Sequence, residues 1–170
     1  MRWVAPILGL LGLVLLQTSS IPAFELFGVA PNVLLVMLCC WAVVRDQEEA
    51  MLLVPLAGIF IGLLSFQDTA VSVAAFAPIV VLAALRSVFF RGGRMNPRTE
   101  YVWVLGLVVA ATLLHFTTFA VAVEVEGSRI DWVAAVTDRM LPAVLVNVGI
   151  ALALYWVVRL PTRRLQPRVI

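Results

Sequence analysis

Apolar residues run along this chain in long unbroken stretches separated by short polar breaks. Neither the two-residue alternation of a half-buried strand nor the stripe of an amphipathic surface helix dominates the pattern. A helix needs about 20 apolar residues to cross the core of a bilayer. That length picks out six segments, at 3–20, 31–44, 50–66, 71–90, 101–123 and 141–158. The second is short and closed by Trp41, and the fourth is interrupted by Pro78. Region 31–66 therefore reads as two full spans or as a shorter hairpin. The last segment opens at Pro142, carries Asn147 a third of the way in, and has Tyr155, Trp156 and Arg159 marking its exit from the bilayer. The pattern predicts an all-α membrane protein, a six-transmembrane-helix bundle forming one integral domain over residues 1–170.

Composition supports the membrane class. The 170 residues are 63% hydrophobic and 13% charged, against about half and a quarter in a soluble domain. So much apolar surface cannot be buried in a water-soluble fold of this size. The opening, with Arg2 before an apolar run to Gln17, imitates a signal peptide, but Thr18-Ser19-Ser20-Ile21-Pro22 is a poor cleavage site. The segment is expected to be a first transmembrane helix. Cys39 and Cys40 are adjacent inside an apolar run. Neighbouring thiols rarely bridge and make a poor metal site, so both are expected to pack inertly.

Charge orients the spans. All twelve basic residues are arginine. Arg2, Arg45, the cluster Arg86, Arg91, Arg94 and Arg98, and the tail Arg159, Arg163, Arg164 and Arg168 fall on one side of a six-span arrangement. Only Arg129 and Arg139 fall on the other, with Glu25, Asp68, Glu124, Glu126, Asp131 and Asp138. Short arginine-rich loops stay cytoplasmic, so both termini are expected inside. The arginines of the 86–98 turn set topology, or contact anionic lipid headgroups or a cytoplasmic partner. Outside, Ser128 is placed to cap a helix, with Asp131 three residues on. A short interfacial helix is predicted there, with Trp132 at headgroup depth, running into the last span. It serves as a lid or partner surface, or as a plain connector.

Polar groups inside the spans are the candidate functional residues. His115 shares a helix face with Thr112 and with either Thr118 or Phe119, and that face should point into the bundle. With no intramembrane acid or second histidine to assist it, His115 is expected to be structural. Asn32, after Pro31, and Asn147 are expected to pin helices by hydrogen bonds. Small residues four apart mark seams at Ala5/Gly9, Gly58/Gly62 and Gly149/Ala153. Gly58 and Gly62 permit close backbone contact, within the bundle or with another subunit. No HExxH, nucleophile elbow or phosphate-cradling glycine loop occurs. Neither an enzyme, a metal nor a cofactor is expected.

The order of these features resembles MreD, the rod shape-determining membrane protein family. The resemblance rests on Pro31-Asn32-Val33-Leu34-Leu35, the turn Arg45-Asp46-Gln47-Glu48-Glu49, the span around Gly58 and Gly62, and the closing pattern Leu141-Pro142, Asn147, Tyr155 and Arg159. Ser65, a later Asp68, and Ala74, Ala75 and Ala77 stand where the family carries an aspartate and glycines. The resemblance implies a non-catalytic scaffold of the bacterial cell-elongation and peptidoglycan-synthesis machinery, in the cell inner membrane. Its implied partners are an MreC-like single-span coiled-coil protein, a RodA-type glycosyltransferase with its transpeptidase, MreB-like filaments and membrane lipids, and no nucleic acid. The same fold serves substrate-binding subunits of energy-coupling-factor transporters, which makes a small-molecule transport subunit the alternative.

Overall fold

A computed structural model describes residues 3–45, 47–89 and 96–164. It is all-helical, with no β-strand among the described residues. The helices are α1 (Val4–Ser19), α2 (Val33–Val44), α3 (Gln47–Leu64), α4 (Thr69–Phe89), α5 (Pro97–Val125), α6 (Trp132–Ala134) and α7 (Leu141–Arg164). Each apolar segment of the sequence is helical, though the ends shift. Prolines inside α3 (Pro55) and α4 (Pro78) leave both helices continuous, so Pro78 does not interrupt its segment. Short connections reverse the chain at each step. One end of the bundle therefore carries Ser19, Asn32, Leu64, Thr69 and Val125, and the other carries Arg45, Gln47 and Pro97.

By length and composition, two helices are long and apolar enough to cross a membrane: Pro97–Val125 and the run Trp132–Arg159. The shortest of the apolar segments is the most enclosed. α2 has 12 residues, about 18 Å of helix, and it packs against α1, α3, α4, α5 and α7. Its sequence VLLVMLCCWAVV is apolar on every face, as a helix surrounded by other helices must be. Cys39 and Cys40 are buried free thiols in its centre.

α3 and α4 form the most extensive helix pair, and glycine sets their spacing. A Cβ on Gly58 would lie 2.6 Å from the Val73 Cα, and one on Gly62 would lie 2.6 Å from the Thr69 Cα. The glycine pair thus makes a contact inside the chain. The Ala5/Gly9 and Gly149/Ala153 seams face outward, with nothing within 4 Å of a Cβ on Gly9 or Gly149.

Before the last helix, the cap is Asp131 and not Ser128. Its carboxylate accepts from the Val133 and Ala134 amides, whereas Ser128 is still tied to the end of α5 through its own amide and the Val123 carbonyl. α6 then widens into a π-helical turn, Ala135–Met140, and enters α7 without a break. Pro142 lies just past the wide turn. It cannot donate to the Asp138 carbonyl, and its ring crowds that carbonyl, which favours an opened ladder there.

Two loops hold phenylalanine in the left-handed backbone region. Leu26 and Val29 exchange both backbone hydrogen bonds around Phe27 (φ 56°) and Gly28 (φ 75°), a two-residue turn of the kind that needs positive φ twice. Phe66 (φ 54°) follows α3 at the position where glycine commonly ends a helix. Both rings are exposed, at 84% and 98%.

Gly58→Ala or Gly62→Ala should lower the thermal unfolding midpoint, at a cost of about 1–3 kcal/mol for overpacking. Gly9→Ala should leave it unchanged. A Gly62→Ala protein as stable as the parent would mean that α3 and α4 do not approach this closely.

Candidate functional site

The first amides of any helix have no intrahelical partner. At most helix ends water supplies one. The start of α2 lies among other helices, so side chains must do it. Asn32 is the N-cap: its Oδ1 accepts from the Leu35 amide at 3.0 Å. The Asn32 amide itself donates to Asn147 Oδ1 at 2.9 Å. Gln17, in the last turns of α1, accepts from the Leu34 amide at 3.3 Å and donates to the Pro31 carbonyl at 3.0 Å. Asparagine and glutamine suit this work because each carries a donor and an acceptor on one planar amide.

The bonding continues into two more helices. Asn147 Nδ2 donates to Thr112 Oγ1 at 3.2 Å, and both residues are buried. Asn32 Nδ2 lies 3.3 Å from His115 Nε2, and His115 Nδ1 lies 3.2 Å from the Ala75 carbonyl. A carbonyl only accepts and an amide NH2 only donates, so the roles are fixed: Nδ1 carries the proton and Nε2 accepts. His115 is thus in its neutral Nδ1–H form. The rings of Phe76 and Phe119 meet it edge-on at 4.9 and 5.1 Å. Phe119, and not Thr118, completes the inward face, since the Thr118 hydroxyl donates back to its own helix at Leu114. Ala75 lies in the turn that precedes Pro78, where the proline loosens the carbonyl ladder.

The structure therefore brings Pro31, Asn32, Thr112, His115 and Asn147 into one cluster joining α1, α2, α4, α5 and α7. Beside it opens a cavity of about 410 Å³, walled by Gln17, Thr18, Asn32, Ser65, Gln67 and His115, with Ile61, Leu64 and Phe76. The fold gathers the scattered neutral polar groups of this end around one opening. Gln17 and Gln67 are not prominent in the sequence, because each sits at the edge of an apolar run. Their signal is an uncharged hydrogen-bonding side chain next to a chain reversal.

The remaining candidates lie elsewhere. Gly58 and Gly62 hold α3 to α4. Tyr155 is fully buried at the opposite end. Its hydroxyl donates toward the Pro97 carbonyl at 3.3 Å and Glu100 Oε1 at 3.4 Å, and its ring packs on Tyr101 at 4.9 Å. It fastens the end of α7 to the start of α5 and does not mark an interface as the sequence suggests. Its neighbour Trp156 is the exposed one. Arg98 is exposed at the start of α5. Arg91, Arg94 and the side chain of Arg86 lie outside the described residues. Among the described residues no three His, Cys, Asp or Glu side chains are placed to hold a metal ion.

Asn147→Leu should destabilise the protein by about 1–3 kcal/mol, since it strands the Asn32 amide. Thr112→Val added to it should cost less than its effect alone, read as non-additive shifts in thermal unfolding. Additive shifts would contradict the shared hydrogen bond. No protein-family model, no curated protein and no solved structure matches the chain.

Proposed function

We propose that the chain is a six-span protein of the bacterial inner membrane with both termini in the cytoplasm, acting as a non-catalytic scaffold in cell elongation and rod-shape determination, and pairing with an MreC-like coiled-coil protein. The charge distribution supports the orientation. Arg45, Arg98 and Arg159 lie at the Pro97 end of the bundle with Glu48, Glu49 and Glu100, whereas Arg129 and Arg139 lie at the Asn32 end with Glu25, Asp68, Glu124, Glu126, Asp131 and Asp138. Arginine-rich ends stay inside. With that orientation the Asn32 cluster lies in the outer third of the bilayer. α2, at about 18 Å, is shorter than a hydrocarbon core of about 30 Å, so side chains cap its first amides below the membrane surface.

The observation that carries the pairing is the pair of strained aromatics. Phe27 and Phe66 sit at the outer end, exposed, in a backbone region that costs a bulky residue of order 1–3 kcal/mol. At the outer end of a membrane bundle such rings meet lipid headgroups or a partner, and the left-handed backbone that holds both of them out favours a partner surface. The wider assignment, to partners such as a RodA-type glycosyltransferase and MreB-like filaments, rests on the resemblance of the Pro31-Asn32 and Leu141–Arg159 patterns to MreD.

A second reading has its own observation. The neutral polar cavity beside His115 suits the small-molecule-binding subunit of an energy-coupling-factor-type transporter. The two readings separate on purified material. A scaffold co-purifies with a coiled-coil protein in mild detergent. A transport subunit runs alone and binds a small molecule with nanomolar affinity, a result that would sink the scaffold.

Asparagine is favoured at both strained positions. Phe27→Asn with Phe66→Asn should therefore keep or raise stability while cutting partner co-purification by about tenfold, equivalent to about 1.4 kcal/mol. Undiminished co-purification would remove the aromatics from the interface. Reporters fused after Arg94 and at Gly127 should read cytoplasmic and external respectively, and the reverse result would refute the orientation.

A further inference from the structure

A second cavity, of about 550 Å³, opens at the other end of the bundle between α1, α2 and α3. Its trough is apolar. α1 supplies Pro6, Gly9 and Leu13, α2 supplies Met37 and Leu38, and α3 supplies Leu53. Its polar groups gather at one mouth, where α2 ends and α3 begins: Trp41, Arg45 and Glu49. Glu49 is 6% exposed, and its Oε2 accepts from Trp41 Nε1 at 3.0 Å. Arg45 stacks its guanidinium over the Trp41 ring at 4.9 Å. Its buried Nε has no hydrogen-bond partner among the described residues.

This arrangement has the polarity of an amphiphile, with a chain-shaped trough and a cation at one end. A buried guanidinium nitrogen without an acceptor is costly, and a guanidinium fork matches a phosphate in planar, bidentate geometry. The indole already holds the Glu49 carboxylate and orients the arginine by stacking. We propose that the groove holds one phospholipid of the cytoplasmic leaflet, its phosphate on Arg45 and an acyl chain along the trough lined by Gly9 and Leu13. This rests on the membrane reading above. Gly9 has a particular part in it: with no side chain, it leaves the floor of the trough open, and nothing lies within 4 Å of a Cβ built there.

The test uses the full chain, reconstituted in nanodiscs of phosphatidylethanolamine and phosphatidylglycerol, washed in mild detergent and read by native mass spectrometry. The parent should retain one phospholipid. Arg45→Gln should lower the retained fraction by about tenfold, the scale of one charge-assisted bond. Gly9→Phe should do the same by filling the trough. Arg129→Gln, which removes an exposed arginine of the opposite end, should leave retention unchanged. Full retention in both groove variants overturns the proposal, as does equal loss in Arg129→Gln or a co-purifying polypeptide in place of lipid. A chain recovered from the soluble fraction overturns the membrane reading and the groove together. A membrane-bound chain that retains no lipid overturns the groove alone.

Discussion

The backbone amides at the start of α2 constrain the whole bundle. A helix begun in the midst of other helices leaves donors turned away from bulk water, and each one left unpaired costs about 1–3 kcal/mol. Four helices besides α2 contribute to meeting that demand. Gln17 comes from α1, the Ala75 carbonyl from α4, Thr112 and His115 from α5, and Asn147 from α7. The directions of the bonds are mutually consistent. Reversing the Asn32 amide would turn its Oδ1 away from the Leu35 amide and its NH2 away from His115. The network therefore fixes the relative depth of the helices, while apolar packing fixes only that they are together.

The rest of the architecture follows from having a short central helix. α2 can be apolar all round because five helices cover it. α3 and α4 close tightly on each other through Gly58 and Gly62, and leave the cavity by His115 between themselves and α1. At the far end Tyr155 and Pro97 tie α7 to α5, so the two longest helices are held at both ends. The mouth at Arg45, whose guanidinium stacks on Trp41, is where a bundle in a membrane would meet lipid headgroups.

Much of the fold is legible in the sequence because apolar run length and periodicity are local properties. The helical segments belong to this class, and so does the close-packing signal of Gly58 and Gly62, while the fold alone shows that this seam closes inside the chain. The placing of Asn147 and His115 on inward faces is also legible, since polar groups in apolar helices have nowhere else to go. What each residue does is another matter. Asn32 carries a cap signal, Pro-Asn before an apolar run, but its partners lie 83 and 115 residues away in sequence. Gln17 reads as the end of a span because nothing local tells that α2 begins beside it. Tyr155 has the amphipathic character of an interface residue, and only tertiary contact shows it as core. Phe27 and Phe66 leave no trace, since phenylalanine is not a residue that local propensity places at positive φ.

The claim that side chains from other helices complete the start of α2 is tested most directly by amide hydrogen exchange. The Leu34 and Leu35 amides should be strongly protected in the parent protein. In Gln17→Leu, protection should fall at Leu34 while Val36, bonded to the Asn32 carbonyl, keeps its own. A Leu34 amide that exchanges like the Phe27 turn in the parent, or that is equally protected without Gln17, would contradict the account.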